Sequence, residues 1–161
     1  MKLLLATKNK GKIKELSDLL ADLPIEICSA DDFGSIIEPE ETGDTFRANA
    51  ALKAGYYAQK SGIWAVADDS GLEVDALNGA PGVFSARFGG PGATNQEKNS
   101  KLLADLKQSG STNRKAQFVC AVAVSDQNGT ILFEAEGICP GAIAESPSGS
   151  NGFGYDPIFV P

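Results

Sequence analysis

The sequence predicts an α/β domain, and three stretches carry this prediction. The chain opens with a short apolar run, residues 3–6, that leads into a stretch with helical periodicity, which is the pattern of a strand, a turn and a helix. A second apolar run, residues 63–67, has the length and composition of a buried strand. Two further apolar runs near the end flank an Asn-Gly pair, which predicts a β-hairpin.

Length, net charge and hydropathy indicate the number of domains and the classes of binding partner. With 161 residues it is expected to form one domain, residues 1–161, burying roughly 70% of its extended-chain surface. The net charge of −7 argues against a nucleic acid polymer as partner, although local lysines and backbone N–H groups still allow a small anionic ligand. Because no apolar run reaches membrane-spanning length, we expect no membrane partner.

Cysteine and histidine usage limits the chemistry. Cys28, Cys120 and Cys139 are widely spaced and contain no C-x-x-C pair, so they predict reduced thiols in a cytoplasmic protein rather than disulfides or a zinc site. The chain has no histidine, which excludes histidine-dependent triads, bases and metal ligands from these residues. Catalysis therefore has to use carboxylates, lysines, hydroxyls and a metal.

The first helix begins with a cluster of lysines. Thr7 or Asn9 is expected to cap it, and its apolar face is formed by Ile13, Leu16, Leu19 and Leu20. The lysines are Lys8, Lys10, Lys12 and Lys14. Positive charge at a helix N-terminus opposes the macrodipole, so we favour a phosphate site at this strand-to-helix junction. The alternative is a solvated lysine face, and the spacing is not that of a Walker A loop.

The second helix is predicted to begin near Thr45. Before it lie a short strand, residues 26–28, and a loop, residues 31–44, that contains four acids: Glu38, Glu40, Glu41 and Asp44. Asp44 or Thr45 is expected to cap the helix. Its apolar stripe is Phe46, Ala50, Ala54 and Tyr57. Lys53 lies beside this stripe, and a lysine that points inward requires an anionic partner.

The acids Asp68 and Asp69 follow the predicted strand 63–67 directly. Ligand sites in open α/β sheets lie beyond the carboxyl ends of strands, and paired aspartates there can hold a divalent cation or orient a water molecule. The alternative is an ordinary Asx-type turn, because Asp, Ser and Gly all favour turns.

The remainder of the chain predicts three more elements. A short strand is followed by a turn at Asn78-Gly79 and by an irregular Gly- and Pro-rich loop, residues 80–92. A helix starts at Thr94 or Asn95 and runs to Lys107. Two strands, residues 115–124 and 129–138, form the hairpin. A loop, residues 140–154, then leads to a last apolar run, residues 158–160.

Several short blocks resemble one known family in residue type and in order, and they extend along the whole chain. They are Thr7-Lys8-Asn9-Lys10-Gly11-Lys12 with Glu15, Glu41-Thr42-Gly43 with Thr45-Phe46, Asn49-Ala50 with Lys53, Ala67-Asp68-Asp69-Ser70-Gly71-Leu72, Gly79-Ala80-Pro81-Gly82 with Ser85-Ala86-Arg87, and Gly152-Phe153-Gly154-Tyr155-Asp156-Pro157. In these blocks the chain is similar to the inosine/xanthosine triphosphate pyrophosphatases of the Ham1-like type, which are house-cleaning nucleotide enzymes.

The resemblance implies a fold and a reaction. The fold is a mixed, elongated β-sheet with flanking helices that form two lobes around a central cleft, usually in a homodimer. The reaction is Mg²⁺-dependent hydrolysis of non-standard purine nucleoside triphosphates (ITP, dITP, XTP) to the monophosphate and pyrophosphate.

The resemblance also implies roles for individual residues. Asp69 is the catalytic carboxylate that activates water, and Glu41 and Asp69 are the metal ligands. Asp68 and Glu40 neighbour this pair, and adjacent residues of an extended segment point opposite ways, so only one of Glu40 and Glu41 is expected to reach the metal. The triphosphate is held by Thr7, Lys8, Asn9, Lys10, Gly11, Lys12, Lys53 and Ser70. The base and sugar face Phe153, Gly154, Tyr155 and Asp156, with the Phe153 ring stacked on the purine.

One part of the family pattern is missing, and two other functions compete. The family continues past the position of Pro161 with a Lys and a Ser-His-Arg motif that contact the base, so we expect this chain to lack the family's C-terminal segment. The rivals are a Maf-like pyrophosphatase that acts on other modified nucleotides, and a catalytically impaired nucleotide-binding or dimerisation module.

Overall fold

The computed structural model describes residues 1–34, 36–149 and 152–161 as an α/β fold. Its helices are α1 (Lys10–Leu20), α2 (Phe46–Ser61) and α3 (Asn95–Gln108). Its strands are β1 (Lys2–Leu5), β2 (Glu26–Ser29), β3 (Trp64–Val74), β4 (Lys115–Ser125), β5 (Ile131–Ile143) and β6 (Phe159–Val160). Short 3₁₀ segments occupy Ala30–Phe33, Asp75–Leu77, Gly82–Arg87 and Asp156–Ile158.

The described strands form one mixed sheet in the order β2-β1-β3-β4-β5-β6. β1 pairs in parallel with β2 and with β3, whereas β5 and β6 pair antiparallel. The predicted α/β class with a mixed sheet is therefore confirmed. No helix within the described ranges is long and apolar enough to cross a membrane.

The residues group into two compact units, and β3 contributes to both. The first unit comprises Met1–Asp69 and Ala121–Glu136, and the second comprises Ser70–Cys120 and Gly137–Pro161.

In the first unit, α1 and α2 cover opposite faces of β1 and β3. Leu3, Leu5 and Val66 form a buried cluster against the α1 side chains Ile13, Leu16 and Leu20. Successive strand residues point to opposite faces, so Leu4, Ala65 and Ala67, which are also buried, point the other way. The α2 helix packs against β1 and buries the predicted stripe Phe46, Ala50, Ala54 and Tyr57.

Two helix starts are capped as predicted. Asn9 caps α1, because its Oδ1 accepts hydrogen bonds from the N–H groups of Gly11 (2.9 Å) and Lys12 (3.4 Å). Thr45 caps α2 by accepting from the N–H of Ala48 at 3.1 Å. The prediction for α1 was wrong at Leu19, which is 78% exposed, because position 19 lies outside the stripe that reaches β1 and β3.

The second unit is built around α3. Its core contains Leu72 and Val74 of β3, Leu102 and Leu106 of α3, and Tyr155. The predicted start of α3 at Thr94 or Asn95 is confirmed, and Thr94 caps the helix in a reciprocal capping box with Glu97. The Arg114 side chain donates to the carbonyl oxygens of Ile143 and Ala144, which ties β4 to the end of β5.

The predicted hairpin is confirmed. The N–H of Gly129 donates to the Asp126 carbonyl at 3.0 Å, and the N–H of Asp126 donates to the Thr130 carbonyl at 3.0 Å. Gly129 adopts φ +87°, a left-handed conformation that costs glycine little.

Three predicted boundaries were wrong. β3 does not stop at Ala67 but continues through Asp68 and Asp69 to Val74, because the strand is paired in the sheet and the acids are paired with lysines rather than exposed. β5 extends five residues beyond the predicted end, through Pro140 to Ile143. Part of the predicted loop 80–92 is a 3₁₀ helix, Gly82–Arg87. Ser35 of the predicted loop 31–44, and Ser150 and Asn151 of the predicted loop 140–154, lie outside the described residues.

Candidate active site

The site lies in the first unit, where β1 ends beside the first residues of β3. Leu5, the last residue of β1, is in register with Val66, and the N–H of Ala6 donates to the Val66 carbonyl at 2.8 Å. The chain then leaves the sheet and enters α1. The turn before α1 therefore begins next to the residues that follow Val66, and these include the two acids.

Asp68 and Asp69 point to opposite faces of β3, and each meets a lysine from a different helix. Asp68 points to the same face of β3 as Val66 and pairs with Lys12 of α1 at 2.6 Å. Asp69 points to the same face of β3 as Ala65 and Ala67 and pairs with Lys53 of α2 at 3.0 Å. The alternation of a β-strand thus turns two adjacent acids into two separate ion pairs.

Lys53 bridges two carboxylates. Its ammonium nitrogen lies 2.6 Å from Glu41 Oε1 and 3.0 Å from Asp69 Oδ1. The side chains of Lys53 and Asp69 are only 7% and 9% exposed, whereas that of Glu41 is 22% exposed. The Lys53–Asp69 pair therefore has little contact with water, and its electrostatic attraction is stronger than in solvent. The prediction that an inward Lys53 needs an anionic partner is confirmed.

Burial and ion pairing shift the pKa values of this group in opposed ways. Burial raises the pKa of Asp69, Lys53 lowers it, and the nearby charge of Glu41 raises it again, for a net increase. Burial alone would lower the pKa of Lys53, but its bonds to Glu41 and Asp69 outweigh this effect, so the Lys53 pKa is raised. The lysine therefore stays charged at neutral pH, and Asp69 is a stronger base than an exposed aspartate.

Asn49 holds the segment that carries Glu41. It is fully buried on α2, and its Oδ1 accepts the N–H of Gly43 at 2.7 Å. A Cβ at position 43 would lie 2.6 Å from this oxygen, so only glycine permits the approach. Asn49 also lowers the pKa of Asp69, although Asn49 Nδ2 and Asp69 Oδ2 form no hydrogen bond of ordinary geometry with the described residues.

The lysine-rich turn lies in the same unit. Thr7 Oγ1 accepts the N–H of Asn9 at 3.2 Å, and Asn9 in turn caps α1. Two N–H groups that an anion was expected to use, those of Gly11 and Lys12, are therefore occupied by Asn9. Lys8 and Lys10 are exposed. The anion would meet mainly ammonium groups rather than an uncapped helix end.

The carboxylates fit a hard divalent cation. Three acids (Glu41, Asp68, Asp69) face two ammonium groups, which leaves one net negative charge. Asp69 Oδ2 is a buried oxygen without a hydrogen-bond partner in the described part of the chain. The described residues contain no group of three or more potential ligands, and Mg²⁺ commonly binds through one or two carboxylates plus substrate phosphates.

The remaining predicted site residues belong to the second unit. Ser70 follows Asp69 in β3. The Phe153 ring is 39% exposed, whereas Tyr155 is 5% exposed and donates its hydroxyl to the Ser85 carbonyl at 2.9 Å. Asp156 Oδ2 accepts the N–H of Phe153 at 2.8 Å. Within this segment Phe153 is thus the residue best able to stack on a base.

Sequence reasoning gave Asn49 no role beyond its place in a family block, and it did not single out Asn99, whose Nδ2 donates to the Gly154 carbonyl. Both are buried amides on helices, with exposed fractions of 0% and 3%. Each lies on the apolar face of its helix, where a polar residue requires a partner, and this position was the available signal.

Comparison with protein families and curated proteins places the chain among nucleotide hydrolases. The model of the Ham1 family matches residues 3–161. A dITP/XTP pyrophosphatase from Nostoc sp. is 52% identical over 157 residues, covering 98% of this chain and 76% of the relative. A dITP/XTP pyrophosphatase from Haemophilus influenzae is 48% identical over 159 residues, covering 98% of this chain and 81% of the relative.

Solved structures agree with these matches. A HAM1 protein from Coxiella burnetii superposes with a TM-score of 0.91 at 43% identity, covering 99% of this chain and 81% of that one. A nucleoside-triphosphatase, a dITP/XTP pyrophosphatase from Mycobacterium abscessus, superposes with a TM-score of 0.84 at 44% identity, covering 100% of this chain and 84% of that one.

Lys53→Met is expected to lower the free energy of unfolding by about 3 kcal/mol at pH 7, because it leaves buried carboxylates without their cation. The loss should shrink towards about pH 5. Without Lys53 the already raised pKa of Asp69 rises further, so protonation relieves the buried charge as the pH falls, whereas wild-type Lys53 stays charged throughout this range. Urea unfolding at both pH values measures the effect.

The matched control is Lys101→Met, which removes an exposed pair with Asp105 on α3. It should change the unfolding free energy by about 0.5 kcal/mol or less. Equal losses in the two variants, or a Lys53→Met loss that does not depend on pH, would contradict the assignment of Lys53 as a buried counter-ion.

Proposed function

The chain belongs to the Ham1 family, and on that basis we propose that it hydrolyses non-standard purine nucleoside triphosphates (ITP, dITP and XTP) to the monophosphate and pyrophosphate. The names of the curated relatives support this assignment. The structural observation that carries it is the buried group of Glu41, Lys53 and Asp69. Such a group combines a base, a cation and a candidate metal ligand in one place.

Asp69 acts as the general base. Water attacks phosphorus and loses a proton to the Asp69 carboxylate, while the anhydride oxygen between the α- and β-phosphates takes the bonding electrons and leaves with pyrophosphate. Burial raises the pKa of Asp69, which suits proton transfer near neutral pH. The proton passes to solvent afterwards, so Asp69 returns to its starting state.

Lysines bind the triphosphate. The substrate carries several negative charges, which must be offset before a nucleophile can approach. Lys53 lies within the group, Lys12 lies beside Asp68, and Lys8 and Lys10 extend from the preceding turn. Thr7, Asn9, Gly11 and Ser70 complete the predicted phosphate contacts. Since Lys12 and Lys53 already hold carboxylates, phosphate binding requires these ammonium groups to share their hydrogen bonds.

Mg²⁺ is the proposed cofactor, held by Glu41 and Asp69. When bound, the ion polarises the phosphoryl group and lowers the pKa of coordinated water. The unpartnered Asp69 Oδ2 and the net negative charge of the group support this choice. Asn49 keeps Glu41 within reach by fixing Gly43.

The segment 153–156 is proposed to bind the base. Inosine and xanthine present a 6-oxo group and lack the 2-amino donor of guanine, so a pocket can select them through hydrogen-bond placement and steric exclusion. The half-exposed Phe153 ring supplies a stacking face.

We further propose a cytoplasmic homodimer. Among the described residues, Cys28 and Cys139 form no disulfide, as is usual in a reducing compartment. The β5 strand exposes three large apolar side chains on its two faces, and exposed apolar side chains of this size would be covered at an interface between copies. These are Leu132, Phe133 and Ile138.

The first prediction of this proposal concerns substrate choice. With Mg²⁺, the chain should release pyrophosphate from ITP, dITP and XTP at least about tenfold faster than from ATP or GTP, because one well-placed hydrogen bond contributes that much discrimination. Asp69→Asn should lower kcat by about 10²- to 10⁴-fold, since it removes the base. A coupled pyrophosphate assay measures both.

Asp18→Asn on the exposed face of α1 is the control and should retain full activity. Nucleotide binding without turnover would indicate an impaired binding module, and turnover confined to other modified nucleotides would indicate a Maf-like enzyme. Either result would refute the proposed reaction.

The second prediction concerns the metal. EDTA should abolish pyrophosphate release and Mg²⁺ should restore it. Glu41→Gln should raise the Mg²⁺ concentration needed for half-maximal activity by about tenfold or more, because it removes a charged oxygen ligand. Glu40→Gln changes the adjacent, exposed acid and should leave the requirement unchanged. A larger shift for Glu40→Gln would reassign the ligand.

The third prediction concerns assembly. Sedimentation equilibrium should give twice the mass of the 161-residue chain, and Phe133→Glu should weaken the association by placing a charge in the interface. Lys115→Glu, at an exposed β4 position, should not. A monomer at all concentrations, or a dimer indifferent to Phe133→Glu, would count against β5 as the interface.

A further inference from the structure

A buried amide anchors the turn that carries Phe153. Asn99 of α3 is 3% exposed, and its Nδ2 donates to the Gly154 carbonyl at 3.2 Å. Its Oδ1 is buried and has no hydrogen-bond partner within the described ranges. Burying a half-satisfied amide costs free energy that an apolar residue of similar size would avoid. The bond to Gly154 is therefore the contact that accounts for an asparagine at this position.

The same turn is held at two other points. Tyr155 donates its hydroxyl to the Ser85 carbonyl at 2.9 Å, and the Ser85 hydroxyl oxygen accepts the Leu72 N–H at 2.9 Å. Phe153 donates its N–H to Asp156 Oδ2 at 2.8 Å. These bonds hold Phe153 and Tyr155, the two neighbours of Gly154.

Asn99 holds Gly154, the residue of the turn with the greatest backbone freedom. Gly154 has φ +62°, and glycine has the widest choice of backbone conformations. Without an external bond, the Gly154 carbonyl could rotate and tilt the preceding side chain. Phe153, in contrast, has a ring that is 39% exposed, so the turn has a fixed backbone and an accessible aromatic face.

We propose that Asn99 is a positioning residue for nucleotide recognition: by holding the Gly154 carbonyl, it sets the orientation of the Phe153 ring that stacks on the purine base. This inference rests on the proposed function. It assigns Asn99 no part in the chemistry of phosphate cleavage, which involves the acids and lysines of the first unit. Loss of the bond should therefore affect binding of the base and spare the cleavage step.

The test is Asn99→Ala, with Asn95→Ala as the matched control, because Asn95 is an exposed asparagine one turn earlier on α3. Asn99→Ala should raise the KM for ITP about tenfold, leave kcat within about twofold, and leave the inhibition constant of pyrophosphate unchanged, since pyrophosphate has no base. Amide hydrogen exchange in a peptide covering residues 152–158 should become faster. Asn95→Ala should change none of these quantities.

Asn99→Leu preserves the side-chain volume and replaces the alanine variant if that one fails to fold. A fall in kcat at constant KM, or an unchanged KM with faster exchange, would show that Asn99 only stabilises the fold and would overturn the inference. A wild-type chain that releases no pyrophosphate from ITP would instead refute the proposed function, and the inference would fall with it.

Discussion

The contact between Lys53 and the two acids Glu41 and Asp69 is the constraint on which the first unit depends. Lys53 and Asp69 lie where water has little access, so each of these charges is stable only while its partner remains in place. The contact joins the segment before α2, α2 itself and β3, which follow one another in the chain. The elements that bury the core thus also fix the chemical groups, and a change in the packing of α2 would disturb both.

The opposite face of β3 repeats the arrangement with different partners. Asp68 and Lys12 form a second pair beneath α1, and the Asn9 cap sets where that helix starts. The lysines are therefore placed by helix geometry and the acids by strand alternation. The lysines proposed to bind phosphate therefore lie on opposite faces of one strand, while Asn99 of α3 holds the Gly154 carbonyl.

The sequence predicted those features that depend on local patterns. The α2 stripe, the Thr45 cap and the need of Lys53 for an anion all follow from periodicity and from the cost of burying charge. The end of the predicted strand at residue 67 was wrong, because Asp, Ser and Gly favour turns locally, whereas sheet pairing and the lysine partners keep the chain extended to Val74. The roles of Asn49 and Asn99 depend on contacts with Gly43 and Gly154, which no local pattern specifies.

The opposite orientations of Asp68 and Asp69 also fix the register of β3 in the sheet. A β-strand that slides by one position exchanges its two faces, which misplaces its apolar side chains. Here a slide would bring Ser70 towards Lys53 and Asp69 towards Lys12, and one buried ammonium would lose an anion. A single inserted or deleted residue in β3 would therefore destabilise the fold in two ways, because it misplaces apolar side chains and because it separates the acids from their lysines. The groups proposed for catalysis thus also disfavour pairing of β3 in the wrong register.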